Sequence, residues 1–262
     1  MANHVRSVLV RLAVLSVLVV TAAATGCDSG SSAGSMDWQS VASSSDGTKL
    51  VAVATFGNVY TSTDSGASWT QRIQQGLVGV VSSADGMKLV GAGLDVHSGG
   101  FFIYTSSDSG ATWTQTTAPQ QSWQALASSA DGTKLVATGL DSAGNGCTYT
   151  SSDSGATWTQ TTAPDPFWQS VASSANGTKL VAVSTDLDPA TLKLVGGNIY
   201  TSSDSGATWT QTGTKQHWNS VASSSDGTKL VAVSGDLLAP LKIIGGYIYT
   251  SSDSGTTWTQ RL

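Results

Sequence analysis

An eight-residue phrase, S-x-D-x-G-x-[ST]-W, is written five times in this chain, at residues 62–69, 106–113, 151–158, 202–209 and 251–258. Any fold must give these five near-identical segments near-identical surroundings. Each copy follows a Tyr-Thr pair and precedes Thr-Gln, which reads as strand, tight turn, strand. The side chains suit that reading. The carboxylates of Asp64, Asp108, Asp153, Asp204 and Asp253 can accept hydrogen bonds from turn amides, and Gly66, Gly110, Gly155, Gly206 and Gly255 permit a positive φ. Trp69, Trp113, Trp158, Trp209 and Trp258 can then pack beneath the turn as plugs.

The phrase belongs to a longer repeat that starts at Trp38, Leu77, Trp123, Trp168 and Trp218. It fills residues 38–262, which gives a mean period of 45, a length suited to a four-stranded blade and too long for a hexapeptide β-helix. Inside each repeat a second turn signal recurs as Asp46-Gly47, Asp85-Gly86, Asp131-Gly132, Asn176-Gly177 and Asp226-Gly227. The strand after it, Leu-Val-Ala-Val in three copies, is apolar without alternation, as a strand buried on both faces should be. The fold predicted is all-β, a five-bladed β-propeller of four-stranded antiparallel blades, with no place for a helix.

The eight-residue phrase resembles the Asp-box, or bacterial neuraminidase repeat, of sialidases, related hydrolases and sortilin-type receptors. That resemblance implies a structural hairpin between the third and fourth strands of a blade, away from any active site. The whole repeat also looks like repetitive bacterial surface proteins and the photosystem II assembly-factor propellers, although five repeats depart from the usual seven of the latter.

Residues 1–26 read as an export signal, with His4, Arg6 and Arg11 ahead of an apolar run at 12–24 that is too short to span a bilayer. The run closes on Ala24-Thr25-Gly26-Cys27, which resembles a lipobox and implies lipidation of Cys27. An ordinary secretory signal cut nearby is the alternative. Residues 27–37 then form a flexible polar tether, and the expected location is extracytoplasmic, at the periplasm or cell surface of a bacterium, held to the membrane by the N-terminal lipid.

The formal charge is −5, and beyond the signal only Arg72, Arg261 and eight scattered lysines are basic, so no nucleic acid is expected as partner. Sialidase chemistry, which needs an arginine triad and a Tyr-Glu pair, is argued against by two arginines beyond the signal and no glutamate in the chain. Cys147 reads as a buried thiol. His97 and His217 are too few for a metal site, and Asp186-Leu187-Asp188 is followed by Pro189-Ala190 where a calcium loop needs a ligand and Gly, so no metal or cofactor is expected. Outside the turn motifs and the tether, six aspartates remain: Asp95, Asp141, Asp165, Asp186, Asp188 and Asp236. Asp95, Asp141, Asp186 and Asp236 occupy one repeat position, which favours turn capping over catalysis, because a catalytic acid needs a singular environment. No catalytic pair is named.

The 2–3 and 4–1 connections differ among repeats, whereas the 1–2 and 3–4 turns do not, so one end of the propeller should be uniform and the other varied. The varied end carries the candidate binding residues Asp95, Asp141, Asp186, Asp236, Phe101, Phe102, Phe167, His97 and His217. The four carboxylates are expected roughly 14 Å apart, too far to share an ion but able to set up a diffuse negative field that favours basic or neutral ligands. Drift in unselected loops would produce the same pattern. The expectation is therefore a non-catalytic binding or scaffolding propeller for a glycan or protein ligand, with a small aspartate-dependent glycoside hydrolase or a purely structural repeat protein as alternatives. A monomeric five-blade ring closed by side-chain packing is expected, with a larger dimeric ring as the alternative.

Overall fold

The computed structural model describes residues 38–54, 58–74, 76–95, 98–163, 167–186, 195–235, 237–238, 242–243 and 245–261. The signal and tether segments, Cys27, His97, Asp165, Asp188 and Asp236 lie outside the described residues.

Five four-stranded antiparallel sheets follow one another, each a meander. Blade one is β1 (Trp38–Ser43), β2 (Leu50–Ala54), β3 (Asn58–Ser62) and β4 (Thr70–Gln74), and blade two is β5 (Gly76–Ser82), β6 (Leu89–Leu94), β7 (Phe101–Ser106) and β8 (Thr114–Gln115). Blade three is β9 (Ser122–Ser128), β10 (Leu135–Leu140), β11 (Gly146–Ser151) and β12 (Thr159–Thr161), and blade four is β13 (Trp168–Ser173), β14 (Leu180–Ser184), β15 (Gly197–Ser202) and β16 (Thr210–Gln216). Blade five is β17 (Trp218–Ser223), β18 (Leu230–Ser234), β21 (Ile248–Ser251) and β22 (Thr259–Gln260), with a small hairpin, β19 (Leu237–Leu238) and β20 (Lys242–Ile243), inserted between its second and third strands. The described residues contain no helix, and the architecture is the five-bladed β-propeller that the repeat predicts.

The core lies between blades rather than within them. Four apolar clusters fill the four seams between consecutive blades. At the seam between blades four and five, the second and third strands of blade four supply Val181, Val183 and Ile199. Blade five supplies Trp218, Val221, Leu230 and Tyr249. Val181, Val183, Ile199 and Trp218 are all at most 1% exposed, so the unbroken apolar second strand is explained by a neighbour on each face. Within blades three, four and five the first-strand Trp also meets the third-strand Tyr edge-on, at 5.5, 5.2 and 5.1 Å between centroids. The first strands of consecutive blades run side by side and form the inner layer.

The uniform end is stitched together by backbone. Ser45 N–H donates to Ala84 O, Ala84 to Ala130, Ala130 to Ala175 and Ala175 to Ser225, at 2.6–2.8 Å. No corresponding bond runs from Ser225 to Ser45. Nor does a fifth core cluster join blade five to blade one among the described residues. Val41 is 68% exposed where Val80, Val171 and Val221 are at most 7%, and Trp38 is 54% exposed where Trp123, Trp168 and Trp218 are at most 2%. Among the described residues, blade five therefore does not close on blade one as the ring expected from sequence would. Each seam fixes only the angle between two neighbours, so the number of repeats does not by itself bring the fifth face back to the first.

Candidate functional site

The phrase that recurs five times folds as one hydrogen-bonded unit. In blade three, Ser151 Oγ donates to Asp153 Oδ1 at 2.8 Å and accepts from Gly155 N at 2.9 Å. Thr157 donates through N to Oδ1 (2.9 Å) and through Oγ1 to Oδ2 (2.6 Å), and Trp158 Nε1 donates to Gly155 O (3.1 Å). The same Ser, Asp and Ser/Thr bonds hold Asp64, Asp108, Asp204 and Asp253. Hydroxyl donation from Ser68, Thr112, Thr157 and Thr257, aided by the backbone amide of the same residue, holds the carboxyls of Asp64, Asp108, Asp153 and Asp253 down at about 2. The preceding serine, Ser65, Ser109, Ser154, Ser205 or Ser254, adopts φ near +60°, an uncommon conformation for a residue with a Cβ. Three of these hydroxyls, on Ser154, Ser205 and Ser254, accept from Lys88, Lys134 and Lys179 of the preceding blade. Thus the carboxylates of the phrase are structural, and its serine ties one blade to another.

The second turn uses aspartate in the same way. Asp46 and Asp131 accept from Ser44 and Ser129 at 2.6 and 2.5 Å, and these hydroxyl bonds lead the causes that hold both carboxyls at about 2. The carboxyls of the ten aspartates Asp46, Asp64, Asp85, Asp108, Asp131, Asp141, Asp153, Asp204, Asp226 and Asp253 all depart downward from the ordinary value. A general acid at neutral pH needs the opposite displacement. Among the described residues no three His, Cys, Asp or Glu side chains gather as a metal cage would need. Cys147 is buried, and that burial raises its thiol to about 12.

At the varied end, Asp95, Asp141 and Asp186 each stand where the second strand leaves the sheet, and each closes the base of its loop. The amide of Asp95 donates to Gly100 O at 2.7 Å, that of Asp141 to Asn145 O at 2.8 Å and that of Asp186 to Gly196 O at 3.0 Å. Asp141 also accepts from Ala143 N and Asn145 N; burial pushes its carboxyl up, but these bonds and the Asn145 amide outweigh it and leave the pKa lowered. Asp95 accepts from Tyr104 Oη at 3.2 Å, and burial together with that carboxylate raises the phenol to about 12. Asp186 pairs with Lys215 at 2.6 Å. Phe101 and Phe102 are half-buried and pack on the seams between blades two and three and blades one and two. Phe167 is half-buried at the entrance to β13, where its carbonyl accepts from Thr185 N. His217, also half-buried, heads β17 with Nδ1 buried and without a partner.

Sequence reasoning missed a row of residues on the inner strands. In all five blades the pairing of the first strand with the second slips at one position, and the extra residues are Gln39, Val78, Gln124, Gln169 and Asn219. A bulge re-aims a side chain, and four of these five bear a primary amide. They lie at the varied end of the inner layer, each one residue after the first-strand Trp or Leu. Nearby polar atoms are buried with no protein partner: Gln121 Oε1, Gln124 Oε1 and His217 Nδ1, and Nε1 of Trp123, Trp168 and Trp218. The spacing W-[QN] in four repeats was the available signal; the register slip that gives it meaning is invisible in sequence.

No protein-family model and no curated protein sequence matches the chain. Solved structures do. A GH74 enzyme from Niastella koreensis is 17% identical with a TM-score of 0.66 over 86% of this chain, which spans 38% of that enzyme's length. A putative TolB from Agrobacterium tumefaciens is 17% identical with a TM-score of 0.62, covering 86% of this chain and 80% of that one. YCF48 bound to D1 peptide is 16% identical with a TM-score of 0.51, covering 86% and 82%. At these identities the likeness establishes one thing, that this chain folds as a β-propeller.

Proposed function

We propose that this chain is a non-catalytic binding propeller of the bacterial envelope, exported and anchored through Cys27, that takes a polar glycan or peptide ligand at its varied end. One observation carries the reading. The carboxylates are engaged in turns, whereas Gln124 Oε1 in the blade-three bulge, together with Gln121 Oε1, His217 Nδ1 and the Nε1 atoms of Trp123, Trp168 and Trp218, has hydrogen-bonding capacity left over. Primary amides both donate and accept, which suits sugar hydroxyls and peptide backbone alike. YCF48, a similar fold seen bound to D1 peptide, supports the peptide form. The likeness to GH74 enzymes favours a hydrolase as the second reading.

The test sets the full chain against a glycan array, an immobilised peptide library and a chromogenic glycosidase panel. A ligand whose affinity falls at least about tenfold when Gln124, Gln169 and Asn219 are changed together to Ala supports the reading, a loss in keeping with one or two hydrogen bonds. Turnover of any glycoside, abolished by a single Asp→Asn change, would replace it with the hydrolase. For the anchor, Cys27→Ser should abolish labelling by a clickable fatty acid, and unchanged labelling refutes lipidation at this residue.

A further inference from the structure

Every contact type that recurs at the four seams has both its halves present, and unmade, on the two end faces. In the seams a lysine of one blade crosses the turn glycine of the next: a Cβ on Gly86, Gly132, Gly177 or Gly227 would meet Lys49, Lys88, Lys134 or Lys179 within 3 Å. Gly47, the same residue in blade one, has nothing within 4 Å, and Lys229, the same residue in blade five, is exposed with no side-chain partner among the described residues. The methyl of a third-strand threonine likewise packs on the next blade's phrase glycine, Thr61 on Gly110 and Thr201 on Gly255, while Gly66 meets only its own blade. The apolar residues agree. Val231 and Ile248 on blade five are each 36% exposed, against at most 1% for Val181 and Ile199, and Trp38, Val41 and Trp69 on blade one are 54%, 68% and 42% exposed.

The space itself shows what is missing. Between blades four and five, a gap of about 110 Å³ beside Lys179, Leu180 and Thr201 is capped by Gly227 and Ser254 of blade five. At the equivalent place on blade five, beside Lys229, Leu230 and Thr250, the depression measures about 490 Å³ and no further blade caps it. The residues shaped to cap it, Gly47 and Ser65, stand exposed or half-exposed on blade one. Charge matches as well, since three of the four internal lysines lie against the next blade's turn aspartate (Lys49 by Asp85, Lys88 by Asp131, Lys179 by Asp226), and here Lys229 would meet Asp46.

We propose that the blade-five face of one chain docks on the blade-one face of a second copy, remaking between chains the seam that each chain makes four times within itself. The contact is head-to-tail, so one pairing leaves one face of each kind free, and two chains joined at both ends satisfy all four. A second copy is the occupant favoured because the two faces are complementary residue by residue.

Sedimentation of the full chain in density-matched detergent tests this. The wild type should show a concentration-dependent mass of two chains or more. Val41→Asp and Val231→Asp each alter a partly exposed residue, so each should fold, as near-ultraviolet circular dichroism can verify, and each alone should lose dimer by at least about 100-fold in dissociation constant. Mixed together they should regain a dimer, because the intact blade five of Val41→Asp can dock on the intact blade one of Val231→Asp. Lys229→Asp, at an exposed residue, replaces Val231→Asp if that variant fails to fold. A wild type that stays at one chain mass, a mixture that stays monomeric, or dimers that persist in either single variant would each overturn the proposal.

Discussion

Trp218 and Trp38 are the same residue of the repeat in different surroundings, and replacing each by Ala turns the open seam into a thermodynamic difference. Trp218 is 1% exposed beneath blade four, and Trp38 is 54% exposed with no other described blade packed on it. Emptying a buried Trp site costs about 3–5 kcal/mol, combining lost transfer energy with the cavity left behind. At Trp38 roughly half of the transfer term applies and water fills the space, so the cost is about 1–2 kcal/mol. The edge-on contact with a tyrosine is lost in both variants, with Tyr249 at 5.1 Å and Tyr60 at 5.6 Å, so it cancels from the comparison. At about 2–4 °C per kcal/mol for a domain of this size, Trp218→Ala should lower the melting temperature by roughly 6–20 °C and Trp38→Ala by roughly 2–8 °C. The melts are followed by circular dichroism at a dilution where sedimentation shows single chains. Equal losses would mean that blade five covers Trp38 in solution, and the open seam would be refuted.

Blade four contains a natural variant of the second turn: Asn176 accepts from Ser174 Oγ at 2.9 Å, where the carboxylates Asp46 and Asp131 accept at 2.6 and 2.5 Å. Asn176→Asp should therefore raise the melting temperature at neutral pH through charge-assisted bonds, and a variant no more stable than the parent would contradict that reading. The turn aspartates have folded pKa values near 2, below the ordinary 3.8, so their contribution is present above about pH 4 and is lost as pH falls through about 2. Melting temperatures recorded across that window should fall, and a flat profile would show that these bonds do not stabilise the fold. Cys147, buried with its thiol raised to about 12, should react with a thiol reagent at least about 100-fold more slowly in the native protein than in denaturant; comparable rates would place it at the surface.

The blades could be read from sequence because their determinants are local. A Gly that needs positive φ, an Asp that gathers its turn and an apolar second strand all sit within one period of 45 residues. The turn-capping role of Asp95 and Asp141 was legible for the same reason, since copies of one residue at one repeat position imply one local job. The amides of Gln124, Gln169 and Asn219 were not, because a bulge is a relation between two strands and leaves no mark on either alone. The five serines with φ near +60° were equally hidden; the residue usually chosen there is Gly or Asn, and the lysine that three of them accept from lies more than sixty positions away in sequence. The open seam was beyond reach for a different reason. Trp38 and Val41 have the same identities as Trp218 and Val221, and only their surroundings differ.

The backbone relay from Ser45 through Ala84, Ala130 and Ala175 to Ser225 always runs in one direction, each turn donating to the next and accepting from the one before. An interior repeat therefore meets the same two partners wherever it stands. Copying or deleting one such unit in register would leave the backbone relay with one donor and one acceptor at every junction. Repeat number in this architecture can therefore change without rebuilding the relay.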